Sequence, residues 1–135
     1  MTSEFYFDTS IWLDFYEKRG KNGENALQLI MKIIKKDLIT AYSDLTIKEL
    51  KHLNYSQNQI NEIFSIVKLE NIKRIHIYKE QREEASKLAK IRNVPKRDAL
   101  HAILSRDNHL QLISRDRHFE KLKDISKAGL PEEFI

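Results

Sequence analysis

Phe5-Tyr6-Phe7-Asp8-Thr9-Ser10 sets three aromatic residues directly before an acid and two hydroxyls. Consecutive bulky apolar residues leave no polar side to face water, so this run predicts a short strand buried on both faces. Asp8 then stands at the carboxyl end of that strand. Outward from it the hydrophobic period alternates. Leu27, Ile30, Met31 and Ile34 recur at helical spacing, and Leu38-Ile39-Thr40-Ala41-Tyr42 reads as a second strand. Thr46, Glu49, Leu50 and Leu53 share one helical stripe. Ser56-Gln57-Asn58-Gln59 reads as a capping box ahead of Ile60, Ile63, Phe64 and Val67. Residues 72–78 predict a strand, 80–92 a helix, and Pro95 opens a helix that turns Ala99, Ala102 and Ile103 inward. Leu110-Gln111-Leu112-Ile113 is a further strand, Phe119 begins a short helical turn, and a last strand is expected within 124–127 or near Phe134. The strongest loop signal is Lys18-Arg19-Gly20-Lys21-Asn22-Gly23, which reads as exposed and mobile.

Strands alternating with helices define an α/β chain, a three-layer α/β/α arrangement on a mainly parallel central sheet. The absence of a repeat or linker in the 135 residues predicts a single domain over residues 1–135. Such sheets bind ligands beyond the carboxyl ends of their strands. Acids mark those ends here. Asp8 follows the first strand, and Asp116 follows Leu112-Ile113 after Ser114 and Arg115. Asp98 lies in the first turn of the helix leading into that strand, and Glu49 leans toward the packed side of its own helix. Each acid also has a purely structural use. Asp8 and Asp116 can cap the helical turns that follow them, Asp98 can offset its helix dipole, and Glu49 can close a capping box with Thr46. The four structural uses do not explain why acids fall at both strand ends and on both adjoining helices.

Carboxylates gathered in one cleft repel unless protonated or neutralised by a cation. Their oxygens are hard donors suited to Mg2+ or Mn2+, ions that acidify and orient a water and offset charge on a phosphoryl oxygen. The reaction this predicts is in-line hydrolysis of a phosphodiester. The segments Phe7-Asp8-Thr9-Ser10, Ile47-Lys48-Glu49-Leu50, Asp98-Ala99-Leu100-His101-Ala102 and Ile113-Ser114-Arg115-Asp116 resemble, in order, the four motifs of PIN-domain proteins. The resemblance runs from Phe5 to Phe119, and the 18-residue step from Asp98 to Asp116 suits it. The short chain without added domains resembles the VapC toxins within that family. This implies an Mg2+- or Mn2+-dependent ribonuclease, an RNA substrate, a small antitoxin partner and a homodimer. It also implies that Asp8, Glu49, Asp98 and Asp116 are catalytic, metal-holding acids, with Thr9 and Ser114 as supporting hydroxyls that orient them. A PIN-like module that binds RNA or protein without cleaving is the alternative.

Arg97, Arg115 and Arg117 flank two of the acids and are candidates for phosphate contact, with Lys96 and Lys121 nearby. Charge balance around an acidic pocket explains them equally. His101 is one helical turn from Asp98 and is assigned a structural role before a ligand role. His52, His76, His109 and His118 show no ligand spacing. Asp14 is a candidate outer acid, whereas Asp107 lies nine residues from Asp98, about 13 Å along a helix, too far to share an ion. Trp12, Phe15 and Tyr16 are either core or a partner surface. Phosphoaspartate enzymes of the haloacid-dehalogenase type need a second acid where this chain has Ser10. Receiver domains need acids beside the first-strand Asp, and Glu4 is at the wrong end.

The composition agrees with this class. A net charge of +4 permits a phosphate-rich partner. Zero cysteines exclude a disulfide scaffold, a thiolate zinc site and a cysteine nucleophile. No apolar run is long enough to span a bilayer, and Met1-Thr2-Ser3-Glu4 lacks a leader pattern, so a cytoplasmic protein is expected.

Overall fold

The computed structural model describes residues 4–135; Met1 to Ser3, part of the segment read for a leader, lie outside the described residues. Four strands, β1 (Glu4–Phe7), β2 (Ile39–Ser43), β3 (Ile72–Ile75) and β4 (Gln111–Ile113), pair in the order β3-β2-β1-β4. Every pairing is parallel, with Tyr6 opposite both Ala41 and Leu112. This placement explains the aromatic run. β1 is an interior strand, so Phe5 and Phe7 enter one core while Tyr6 enters the other.

Helices cover both faces, as parallel crossovers require. On one face α1 (Thr9–Tyr16), α2 (Gly20–Lys35), α3 (Asp44–His52) and α4 (Gln57–Ser65) bury Trp12, Leu29, Leu50 and Ile63 with Phe5 and Phe7. On the other, α5 (Lys79–Arg92) and α6 (Lys96–Asp107) enclose Tyr6, Leu112, Ala99 and Ile103. Helix α6 is packed between the sheet and α5, which is why its whole run from Asp98 to Ser105 is buried. The chain is thus an α/β/α sandwich on a parallel sheet. Among the described residues no helix is long and apolar enough to cross a membrane.

Several local expectations need correction. Residues 18–23 are not an extended loop. Only Glu17–Arg19 separate α1 from α2, with Lys18 at φ 53° and Gly20 at φ 57° making the reversal. Gly23 lies within α2, where a Cβ would approach the Asp14 carbonyl oxygen to 2.5 Å. That glycine serves close helix packing rather than a loop. The buried stripe of α2 is Ala26, Leu29, Ile30 and Ile33, while Leu27 and Met31 face outward. β3 ends at Ile75 because Gln81 already accepts from the Tyr78 N–H to start α5. No last strand forms. Gly129 makes a single parallel bridge to Ile113, and Phe134 instead packs edge-on against Phe5, with ring centroids 5.6 Å apart. Trp12 is core, as are Ile60, Ile63 and Val67.

Candidate functional site

The strand order reverses between β1 and β4. From β1 the chain moves to β2 and β3 on one side, then returns across the sheet to β4 on the other. Crossovers on opposite faces leave a crevice at that point, beyond the strands' carboxyl ends. Asp8 and Asp116 stand there, and the Asp8 N–H donates to the Ile113 carbonyl at 3.0 Å. α3 brings Glu49 from one side and α6 brings Asp98 from the other. All four acids line one cleft of about 740 Å³.

Asp8, Glu49 and His101 form one group. Asp8 Oδ2 accepts from Ser114 Oγ at 2.9 Å and from Ser10 Oγ at 3.1 Å. Glu49 Oε1 accepts from Thr9 Oγ1 at 2.9 Å and lies 2.5 Å from His101 Nε2. The other His101 nitrogen meets Tyr6 Oη at 2.7 Å, and Tyr6 Oη meets Ser43 Oγ at 2.8 Å. A buried polar chain therefore runs from β2 through Tyr6 and His101 to Glu49. Burial opposes charge on the His101 ring, but Tyr6, Glu49 and Asp8 push it up to about 10. Burial also acts on Glu49, yet the His101 contact, helped by Thr9 and Arg97, holds its carboxyl below the ordinary value. Burial raises Asp8 against the pull of His101 and Ser114.

Asp98, Asp116 and His118 form the second group. Asp116 Oδ1 accepts the His118 backbone N–H at 2.9 Å and so caps the 3-10 turn Arg117–Leu122. The structural use foreseen for Asp116 is therefore real, and it occupies one oxygen. Thr46 completes its capping box with Ser43, which leaves Glu49 out of that role. Asp8 is the N-cap residue of α1 but its side chain makes no capping bond. Asp98 is 2% exposed, and its buried Oδ2 has no hydrogen bond although His118 Nδ1 lies 3.1 Å away. Burial first, then Asp116 and Asp8, raise the Asp98 carboxyl to about 6.

The anchoring is one-sided. Asp8 is held through Oδ2, Glu49 through Oε1 and Asp116 through Oδ1. Among the described residues Asp8 Oδ1, Glu49 Oε2, Asp98 Oδ2 and Asp116 Oδ2 accept no hydrogen bond; the nearest cation to Glu49 Oε2 is Arg97 Nε at 3.6 Å. Hard oxygens left without donors in a buried acidic cluster fit a divalent cation.

Arg97 and Arg115 line the cleft, joined by Arg19, Lys48, Arg82 and Lys96. Arg115 is committed elsewhere in part, with both terminal nitrogens on Glu132 at 2.6 and 3.0 Å and Nε 3.9 Å from Asp14. Arg117 does not line this cleft; it lies with Lys121, Lys123 and Lys127 in an adjacent groove that shares Asp116 and Arg115. Asp14 is buried and paired with Arg19 at 3.3 Å, and Asp107 is held by Arg106 and Gln81 on the α5 side. Sequence reading missed His118 at the acids, Tyr6 and Ser10 in the anchoring, and Arg19 and Arg82 on the cleft wall. None of these left a sequence signal; His118 reaches the acids only through the 3-10 turn that Asp116 caps.

A parallel α/β sandwich with four acids gathered at its switch point defines an acidic-cleft α/β domain. The chain belongs to the PIN-domain family, whose family model matches residues 5–125. Among solved structures it is similar to VapBC2 from Rickettsia felis bound to a DNA fragment from their promoter. That match has 16% identity, a TM-score of 0.65, and covers 94% of this chain and 98% of the other. It is also similar to a toxin–antitoxin complex from Klebsiella pneumoniae, at 20% identity and a TM-score of 0.64, covering 94% and 97% of the two chains. Both are likenesses of fold. No curated protein matches the sequence.

Proposed function

We propose that this chain is a divalent-metal-dependent endoribonuclease and the toxin of a toxin–antitoxin pair, acting in the cytoplasm. The observation that carries the reading is the one-sided anchoring of Asp8, Glu49 and Asp116 around one cleft, together with the buried Asp98 Oδ2 that has no hydrogen bond. Membership of the PIN family supports phosphodiester hydrolysis. The fold shared with two toxin–antitoxin complexes supports a small antitoxin partner, and the homodimer implied by the VapC resemblance belongs to the same proposal.

Asp8, Glu49, Asp98 and Asp116 would hold Mg2+ or Mn2+. Bound there, the ion would supply Lewis-acid activation of water and neutralise charge on the phosphoryl oxygens. Thr9 fixes Glu49 through Oε1, and Ser10 and Ser114 fix Asp8 through Oδ2. His101, fully buried and tied to Tyr6, balances the charge of Glu49 from behind. Lys48, Lys96, Arg97 and Arg82 ring the cleft and suit the phosphates on either side of the scissile bond.

The test is cleavage of a labelled structured RNA by metal-stripped protein, with Mn2+ or Mg2+ restored, beside Asp98→Asn. Cleavage that returns with metal and is lost in the variant is expected. RNA binding without cleavage by folded wild-type protein would instead identify a non-catalytic module.

A further inference from the structure

We infer that His118 supplies a nitrogen donor to the ion shared by Asp98 and Asp116, so that this site selects a first-row transition-metal dication over Mg2+. The inference rests on the reading of the cleft as a divalent-metal site and deepens it.

The geometry begins with the cap. Because Asp116 Oδ1 accepts the His118 backbone N–H, the turn folds the imidazole back over the acid that caps it. Nδ1 then stands 3.0 Å from Asp116 Oδ1 and 3.1 Å from Asp98 Oδ2. Adjacent donors on an octahedral ion with bonds of ~2.1 Å are about 3 Å apart. Both distances from Nδ1 have that spacing, and one ligating atom from each of Asp98, Asp116 and His118 lies within 4.8 Å of the other two, within reach of a single ion. Asp98 Oδ2 accepts no hydrogen bond, so the ring stands beside this oxygen without donating to it. That oxygen belongs to a side chain almost wholly buried.

The two histidines at the cleft differ in availability. His101 has both ring nitrogens engaged, by Tyr6 and by Glu49, and cannot ligate without breaking these bonds. His118 is half exposed, and among the described residues no hydrogen bond engages its Nε2. Its ring is free to adjust over the two acids. Imidazole nitrogen strengthens binding along the first-row series from Mn2+ onward, whereas Mg2+ prefers oxygen and keeps its waters.

Metal binding tests this without reference to cleavage. Mn2+ and Mg2+ are titrated calorimetrically into metal-stripped wild type, His118→Ala and Asp98→Asn, each confirmed folded by circular dichroism. His118→Ala is expected to weaken Mn2+ about tenfold or more and Mg2+ less than about threefold. Spin-echo spectra of bound Mn2+ should show histidine-nitrogen modulation in wild type that His118→Ala loses. Unchanged Mn2+ affinity with the nitrogen signal intact in His118→Ala would overturn the ligand role and leave the acidic site standing. An equal loss for both ions would reduce His118 to a support for Asp116 and overturn the selectivity. Failure of wild type to bind either ion would overturn this inference together with the metal-site reading.

Discussion

The Asp98 carboxyl is buried beside Asp116 and Asp8 and accepts no hydrogen bond at Oδ2. Burial and the neighbouring Asp116 and Asp8 raise its carboxyl from 3.8 to about 6. The folded chain therefore binds this proton more tightly than the unfolded chain. The stability it contributes is full below 3.8 and is lost as pH rises through about 6. Asp98→Asn removes that dependence. The variant's metal-free melting temperature, relative to wild type, should rise between pH 4 and pH 8, by on the order of 1–3 kcal/mol of relative stability. Thermal melts of both proteins across that range check it, and subtraction cancels groups such as Glu49 that titrate in the opposite sense. A variant less stable at pH 8 would make Asp98 a structural residue. The four acids were legible in the sequence because strand ends and helix stripes place side chains by simple periods. His118 was not, because its approach to Asp98 depends on a 3-10 turn whose geometry no spacing rule gives. Nor was the bond from Tyr6 to His101, which joins residues 95 positions apart.

Among the elements, the α1–α2 pair turns on Gly23. A methyl there would meet the Asp14 backbone oxygen at 2.5 Å, an atom that cannot swing away like a side-chain tip. Gly23→Ala gains helix propensity of roughly 0.5–1 kcal/mol, but overpacking costs typically 1–3 kcal/mol. The net expectation is destabilisation, seen as a melting temperature lower by on the order of 5 °C in a calorimetric scan. An unchanged or higher value would show that α2 can slide outward freely. Glycine among polar residues reads as loop in a sequence, and nothing local distinguishes a glycine needed for close helix packing. The same limit shifted the stripe of α2, where Leu27 and Met31 compete with Ala26 and Ile33 for one face. Short elements were read better when flanked by caps. The Ser56–Gln59 box formed as expected, with both reciprocal bonds at 2.9 and 3.2 Å. The last strand, lacking such punctuation, reduced to the Gly129 bridge.

At the scale of the whole molecule, the net charge of +4 conceals an opposition between an acidic floor and a basic rim. The alternation of strands and helices was enough to place the crevice, since a parallel sheet with crossovers on both faces must reverse somewhere. Where the cations of α5 would meet that crevice was not, because Arg82 reaches it only through packing of α5 on α6. On the proposed reading, metal binding is a stability variable for the entire fold. Without a divalent ion, four carboxylates share one cleft, and among the described residues His101 and Arg97 stand close enough to offset them. An ion that binds the folded chain alone stabilises it by about 2.7 kcal/mol at a hundred times its Kd. Added Mn2+ should therefore raise the melting temperature of the metal-stripped protein by several degrees, in proportion to the logarithm of its concentration. The rise should be larger at pH 8 than at pH 5, because protons compete for Asp98 below about 6. Asp98→Asn should show little of it. Melts over a range of Mn2+ concentrations at the two pH values separate the possibilities. A rise that the variant shares in full would place the ion away from these acids, and no rise in wild type would mean that the cleft is balanced by its own cations.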